Sequence, residues 1–148
     1  MIIIIVGALV AFGGSSDDSN TFKLDAAKFT LPDGYHSSIK VTSSVAETIN
    51  ITNGKNVIFV VEYKKGDLNK SISDYVNRVE AKNNSVQITE FSCGGKEVYT
   101  SYIENDTHTR QYWFNDHDHL YSIYTWSANE NTDNVVKSLI ESIEFPIF

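Results

Sequence analysis

A single cysteine, Cys93, in 148 residues excludes an internal disulfide framework and any cysteine-rich zinc centre. Two prolines and eight glycines exclude collagen-like and low-complexity compositions. Basic side chains are few: 12 Lys and Arg stand against 19 Asp and Glu, for a net charge of −7 and a pI near 4.9. That balance argues against nucleic acid or an anionic membrane surface as the main partner. The chain contains no GxSxG, no HExxH, no P-loop and no GxGxxG, so no established catalytic signature selects a reaction or a catalytic residue. At 41% hydrophobic and 21% charged, the composition is that of one ordinary folded domain.

The longest apolar run, Met1–Phe12 (MIIIIVGALVAF), is followed by Gly13, Gly14, Ser15, Ser16, Asp17 and Asp18. A membrane-spanning helix needs roughly 20 apolar residues, so this run matches the apolar core of a signal peptide better. It lacks the usual basic flank. The expectation is a signal or anchor over 1–14, a polar linker over 15–20 and one domain over 21–148. That places the domain outside the cytoplasm, secreted or anchored, with membrane contact only through residues 1–14. The competing reading makes Ile2–Val6 a buried first strand, since β-branched residues favour strands. Asn-x-Ser/Thr sequons at Asn50, Asn69, Asn83 and Asn105 fall where exposed strand faces, helix ends or turns are expected.

Beyond the linker, short β-runs alternate with turn signals. Thr21–Leu31 leads into Pro32-Asp33-Gly34, where proline presets φ and glycine supplies the positive φ of a tight turn. Ser37–Val45 reads as a strand. Glu47–Thr52 alternates, with Ile49 and Ile51 on one face, and Asn53-Gly54 signals a hairpin. Asn56–Tyr63 (NVIFVVEY) is apolar on both faces, as in a central strand covered on both sides.

Ile72, Tyr75, Val76 and Val79 then form one helical stripe, with Ser71 and Asp74 as an acidic capping box and Asn83-Asn84 as its end. Val86–Ser92, Glu97–Ile103, His108–Phe114 and Leu120–Trp126 read as an antiparallel meander. A last helix is expected near Asp133–Ser142, capped by Thr132, with Val135, Val136, Leu139, Ile140 and Ile143 inward. Strands in runs, rather than alternating with helices, define an α+β class with an antiparallel sheet and two helices packed on it.

With Phe29-Thr30-Leu31-Pro32-Asp33-Gly34-Tyr35, the helix Ser71–Lys82 after a central strand, and the closing VVKSLIESIEF of Val135–Phe145, residues 21–148 resemble the PsbP-like and Mog1-like sandwich superfamily. The small secreted or anchored prokaryotic relatives look most alike. The resemblance implies a non-catalytic accessory or binding module with a protein partner. It implies no enzyme activity and no required cofactor. A cytosolic Mog1-like adaptor for a small GTPase is the alternative if the apolar run is a strand.

Two clusters are candidate sites. Asp116-His117-Asp118-His119 mixes imidazole and carboxylate, a combination suited to a divalent metal such as zinc. Three of the four histidines lie between 108 and 119. In the meander, Tyr112, Trp113, Tyr124 and Trp126 are candidates for a partner-binding aromatic platform, since Tyr and Trp suit half-wet surfaces. Residues 104–148 carry eight acids against Arg110 and Lys137, so the last third is an acidic surface. Cys93 is expected to be structural.

Overall fold

The structure, a computed structural model, describes residues 20–145. The expected signal or anchor segment and nearly all of the linker lie outside them. The first described elements are β1 (Thr21–Lys23) and β2 (Lys28–Thr30), which form an antiparallel hairpin. Its turn is closed by the Leu24 amide donating to the Ala27 carbonyl at 2.8 Å. Phe22 and Phe29 stack at 5.0 Å, and both are buried.

Two short strands, β3 (His36–Ser37) and β4 (Val41–Thr42), both pair with β5 (Ala46–Thr52). The sequence predicts one strand over Ser37–Val45, and the pairing explains why it is broken. Between the Ser37–Ile51 and Val41–Thr48 partners, the outer strand has one residue more than β5; Ser38 still bonds Asn50, and Ile39–Lys40 bulges away. Ile39, Val41 and Val45 are correspondingly exposed.

The strand β6 (Val57–Tyr63) follows β5 as a hairpin partner. The helix α1 (Leu68–Glu80) leads into the meander β7 (Val86–Cys93), β8 (Lys96–Ile103), β9 (Arg110–Asp116) and β10 (His119–Thr125). The chain closes on α2 (Thr132–Glu141). The sheet order β3-β5-β6-β10-β9-β8-β7 is antiparallel throughout. One β6–β10 pairing joins the N-terminal strands to the meander.

Two helix starts differ from expectation. α1 begins one turn earlier than the Ser71–Asp74 capping box predicts: Asp67 is its N-cap and accepts from the Lys70 amide at 3.1 Å. Asp74 instead meets Lys70 Nζ at 3.0 Å. α2 has Asn131 at its N-cap position without a side-chain capping bond, and Thr132, its first helical residue, instead accepts from the Asn129 amide through Oγ1. At α1 several side-chain oxygens lie near the start, and the incoming loop presents that of Asp67.

Alternation puts the helices on opposite faces. α2, the β1–β2 hairpin and Tyr35 cover the face that carries Ile49, Ile51, Ile58, Val60, Val98, Tyr112, Phe114, Tyr121 and Ile123, all buried in one core with Val136, Leu139 and Ile140. Reciprocal backbone bonds between Lys28 and Glu144, at 2.8 and 2.9 Å, tie the hairpin to the segment after α2. On the other face, Tyr75 of α1 meets Trp113 edge-on at 5.2 Å. Tyr75 is the buried residue of α1, while Ile72, Val76 and Val79 are half-buried. This second helix layer covers less of the sheet, and the uncovered part forms a groove.

Candidate functional site

α1 crosses β7 and β9 and leaves the face of β5, β6 and β10 open beside it. The resulting groove holds about 740 Å³. Thr48, Phe59, Val61, Gln111, Ser122 and Tyr124 supply its floor from four strands, each on the outward beat of the strand alternation. Tyr75, Arg78, Val79 and Lys82 of α1 and its C-terminal turn form one wall, and Tyr63, Asp106 and Thr109 close the ends.

The floor is held by its own hydrogen bonds. Gln111 Nε2 donates to Ser122 Oγ at 2.7 Å, the Gln111 amide donates to Ser101 Oγ at 3.1 Å, and Ser101 Oγ lies 3.4 Å from the Tyr75 hydroxyl. Burial pushes the Tyr63, Tyr75 and Tyr124 phenols up, so all three are neutral at physiological pH. Arg78 sits 5.7 Å from the Tyr75 ring and partly opposes that rise in both Tyr63 and Tyr75. Asp106 is ionised: the Thr109 hydroxyl at 2.7 Å holds its carboxyl below the ordinary value, with the His108 and Thr109 amides adding to the effect. The groove thus has an aromatic floor, a cationic wall and one fixed anion at its far end.

Burial divides the four expected platform aromatics. Tyr112 and Trp113 are interior residues on opposite faces of β9. Tyr112 packs against Phe91 and donates a short hydrogen bond to Asp133, which also holds Arg110 at 2.9 Å. Neither ring offers a surface, because a central strand flanked by helices buries both of its beats. Tyr124 and Trp126 lie on the groove face, where Trp126 is 51% exposed. Phe59 stands 5.1 Å from Trp126 and 6.3 Å from Tyr124, a three-ring cluster that the sequence reading of the meander alone does not reveal. Its third member comes from a strand distant in the chain.

The turn expected to ligate a metal is the tight β9–β10 hairpin turn. His117 and Asp118 both have positive φ, at 49° and 66°, as a tight two-residue hairpin turn requires. His117 Nδ1 meets Asp116 Oδ1 at 2.9 Å, and its ring stacks on Phe145 at 3.8 Å. Asp116 also pairs with Lys96 at 3.3 Å. Among the described residues, the three side chains that bring ligand atoms within 4.8 Å of one another are Asp25, Glu62 and His119. Of the turn residues, only His119 takes part. Asp25 and Glu62 are invisible to a reading of local spacing, since the sheet and the hairpin turn bring them together from far along the chain.

Cys93 is buried, its thiol donates toward the Lys137 carbonyl at 3.5 Å, and burial pushes its pKa up. This is the setting of a structural thiol rather than an activated one. Asn50 is a buried strand residue, which corrects the expectation of an exposed sequon there. Asn69, Asn83 and Asn105 are exposed.

A single antiparallel sheet with one helix on each face, a hairpin sharing the layer of the second helix and a meander between them define a PsbP-like fold of the α+β class. In particular, the chain is similar in structure to cyanobacterial PsbP (CyanoP) from Synechocystis sp. PCC 6803. The TM-score is 0.52 at 12% identity, over 95% of this chain and all of that one. A protein from Bacteroides thetaiotaomicron is similar at a TM-score of 0.44 and 8% identity, over 88% of this chain and 49% of that one. No protein-family model and no curated protein matches the sequence.

Proposed function

We propose that the chain is a non-catalytic binding or accessory module that works outside the cytoplasm and takes a protein partner in the groove beside α1. The observation that carries this reading is the groove itself. Phe59 and Tyr124 lie in its floor and Arg78 in its wall, and the half-exposed Trp126 stands beside the lining, 5.1 Å from the Phe59 ring. Aromatic residues and arginine are the side chains most enriched at the energetic centres of protein interfaces. The hydrogen bonds of the floor support it as preformed, which lowers the ordering cost of binding. The extracytoplasmic part of the reading rests on the apolar run at 1–14.

A photo-crosslinking residue placed at Trp126, and in a second variant at Asn69 on the outer side of α1, tests the reading in native cells. The expected result is a discrete adduct from position 126, weaker by about tenfold when Tyr124→Ala and Arg78→Ala are added, and none from position 69. No adduct at 126, or equal adducts from both positions, overturns it.

A further inference from the structure

We infer that Asp25, Glu62 and His119 form a binding site for one divalent transition-metal cation, with zinc the best match to the donor set. The site lies on the face of the sheet opposite the groove and is independent of it. Asp25 belongs to the turn of the β1–β2 hairpin, Glu62 to β6, and His119 is the first residue of β10. The Ala26 amide donates to both Glu62 oxygens, at 3.1 and 3.2 Å. The backbone next to Asp25 is therefore anchored on the carboxylate that would share the ion.

Charge is the first argument. Glu62 is 1% exposed, and its other partner, the Tyr121 hydroxyl at 2.6 Å, is neutral. In that bond the phenol donates its hydrogen to Glu62 Oε2, so it brings the carboxylate a hydrogen bond and no positive charge. The neighbouring acids have cations: Glu47, the cross-strand partner of Glu62, meets Lys40 at 3.5 Å, and Asp116 meets Lys96 at 3.3 Å. Among the described residues, no lysine or arginine pairs with Glu62 or Asp25. Buried carboxylates are ordinarily paired with a cation or coordinated to a metal, and this one faces a second carboxylate and an imidazole.

The imidazole is the second, independent argument. His119 Nδ1 lies 2.8 Å from the His117 carbonyl. A carbonyl only accepts, so Nδ1 carries the proton and Nε2 keeps its lone pair. A backbone carbonyl that fixes the tautomer in this way is the usual outer support of a metal-ligating histidine. Glu62 Oε1 accepts only half of a shared amide bond and retains lone pairs.

Donors held at about 2.1 Å from zinc lie roughly 3.4 Å apart in a tetrahedron. With the ligand atoms within 4.8 Å of one another, the closure needed is at most about 1.4 Å, which the exposed turn of Asp25 can supply. Two carboxylates and an imidazole favour zinc over magnesium, which takes oxygen ligands in a strict octahedron.

Calorimetric titration of the full chain with ZnCl₂ and, separately, MgCl₂ tests the site. The expected result is one zinc per chain and no magnesium response. Asp25→Asn and His119→Ala should each weaken zinc by at least about tenfold, while His117→Ala and Asp118→Asn leave it unchanged. Asp25 is exposed, so Asp25→Asn reads the site without endangering the fold. An absence of zinc heat from the folded chain overturns the inference, as does an equal response to magnesium. Loss of binding in His117→Ala with retention in His119→Ala overturns it too, and would return the metal to the turn.

Discussion

Glu62 shows at the scale of one residue how a fold changes what a side chain means. In the run NVIFVVEY it reads as the polar end of a strand. In the structure it is buried, with a tyrosine hydroxyl, a backbone amide, the Asp25 carboxylate and the His119 imidazole around it. Gly66 carries a comparable constraint without any chemistry. A Cβ built there would stand 2.6 Å from Leu120 Cδ2 and 2.8 Å from Leu120 Cβ, and Leu120 is itself 1% exposed. Gly66→Ala is therefore expected to destabilise the protein by about 1–3 kcal/mol through overpacking, read as a lower urea midpoint at unchanged slope. An unchanged midpoint would show that the Leu120 side chain repacks freely.

Among the elements, α1 decides the most, because its partial coverage of one sheet face creates the groove. Its start depends on Asp67, whose carboxylate satisfies the Lys70 amide. Asp67→Ala should cost about 1 kcal/mol, whereas Ser71→Ala should stay within about 0.5 kcal/mol. Chemical denaturation of the two variants separates the caps, and a larger loss from Ser71→Ala would reinstate the capping box predicted from sequence.

The stripe Ile72, Tyr75, Val76 and Val79 is legible because helical period is a local property. That Tyr75 alone becomes buried is not, since this depends on where the sheet presents Trp113. The turn signals were likewise readable: Gly94 and Gly95 have φ of 58° and 79°, and Gly34 has φ of 83°, as glycine in tight turns allows. The bulge at Ile39–Lys40 was not, because it arises from a difference in residue count between two paired strands.

For the molecule as a whole, protection should follow position in the sheet. β6 and β10 pair with each other and are flanked on both sides, whereas β3 and β4 each rest on a single partner. Native-state hydrogen exchange should therefore find the slowest amides in Val57–Tyr63 and His119–Thr125 and fast ones in His36–Thr42. Early exchange of β6 together with β3 would mean that the N-terminal strands unfold as a unit separate from the meander, against a single cooperative sheet.

The α+β class, the existence of the central strand, both helices and the meander follow from period, turn chemistry and composition, which are written along the chain. The polar character of the turn at Asp116–His119 and the structural role of Cys93 follow in the same way. Tertiary structure alone decided the rest. The β6–β10 pairing joins residues about sixty apart, and it is what sets Phe59 beside Tyr124 and Trp126 and Glu62 beside Tyr121. No local pattern encodes such neighbours, because long-range pairing is selected by the burial of whole faces rather than by the residues that happen to meet. Both the groove and the Asp25–Glu62–His119 site are products of that selection.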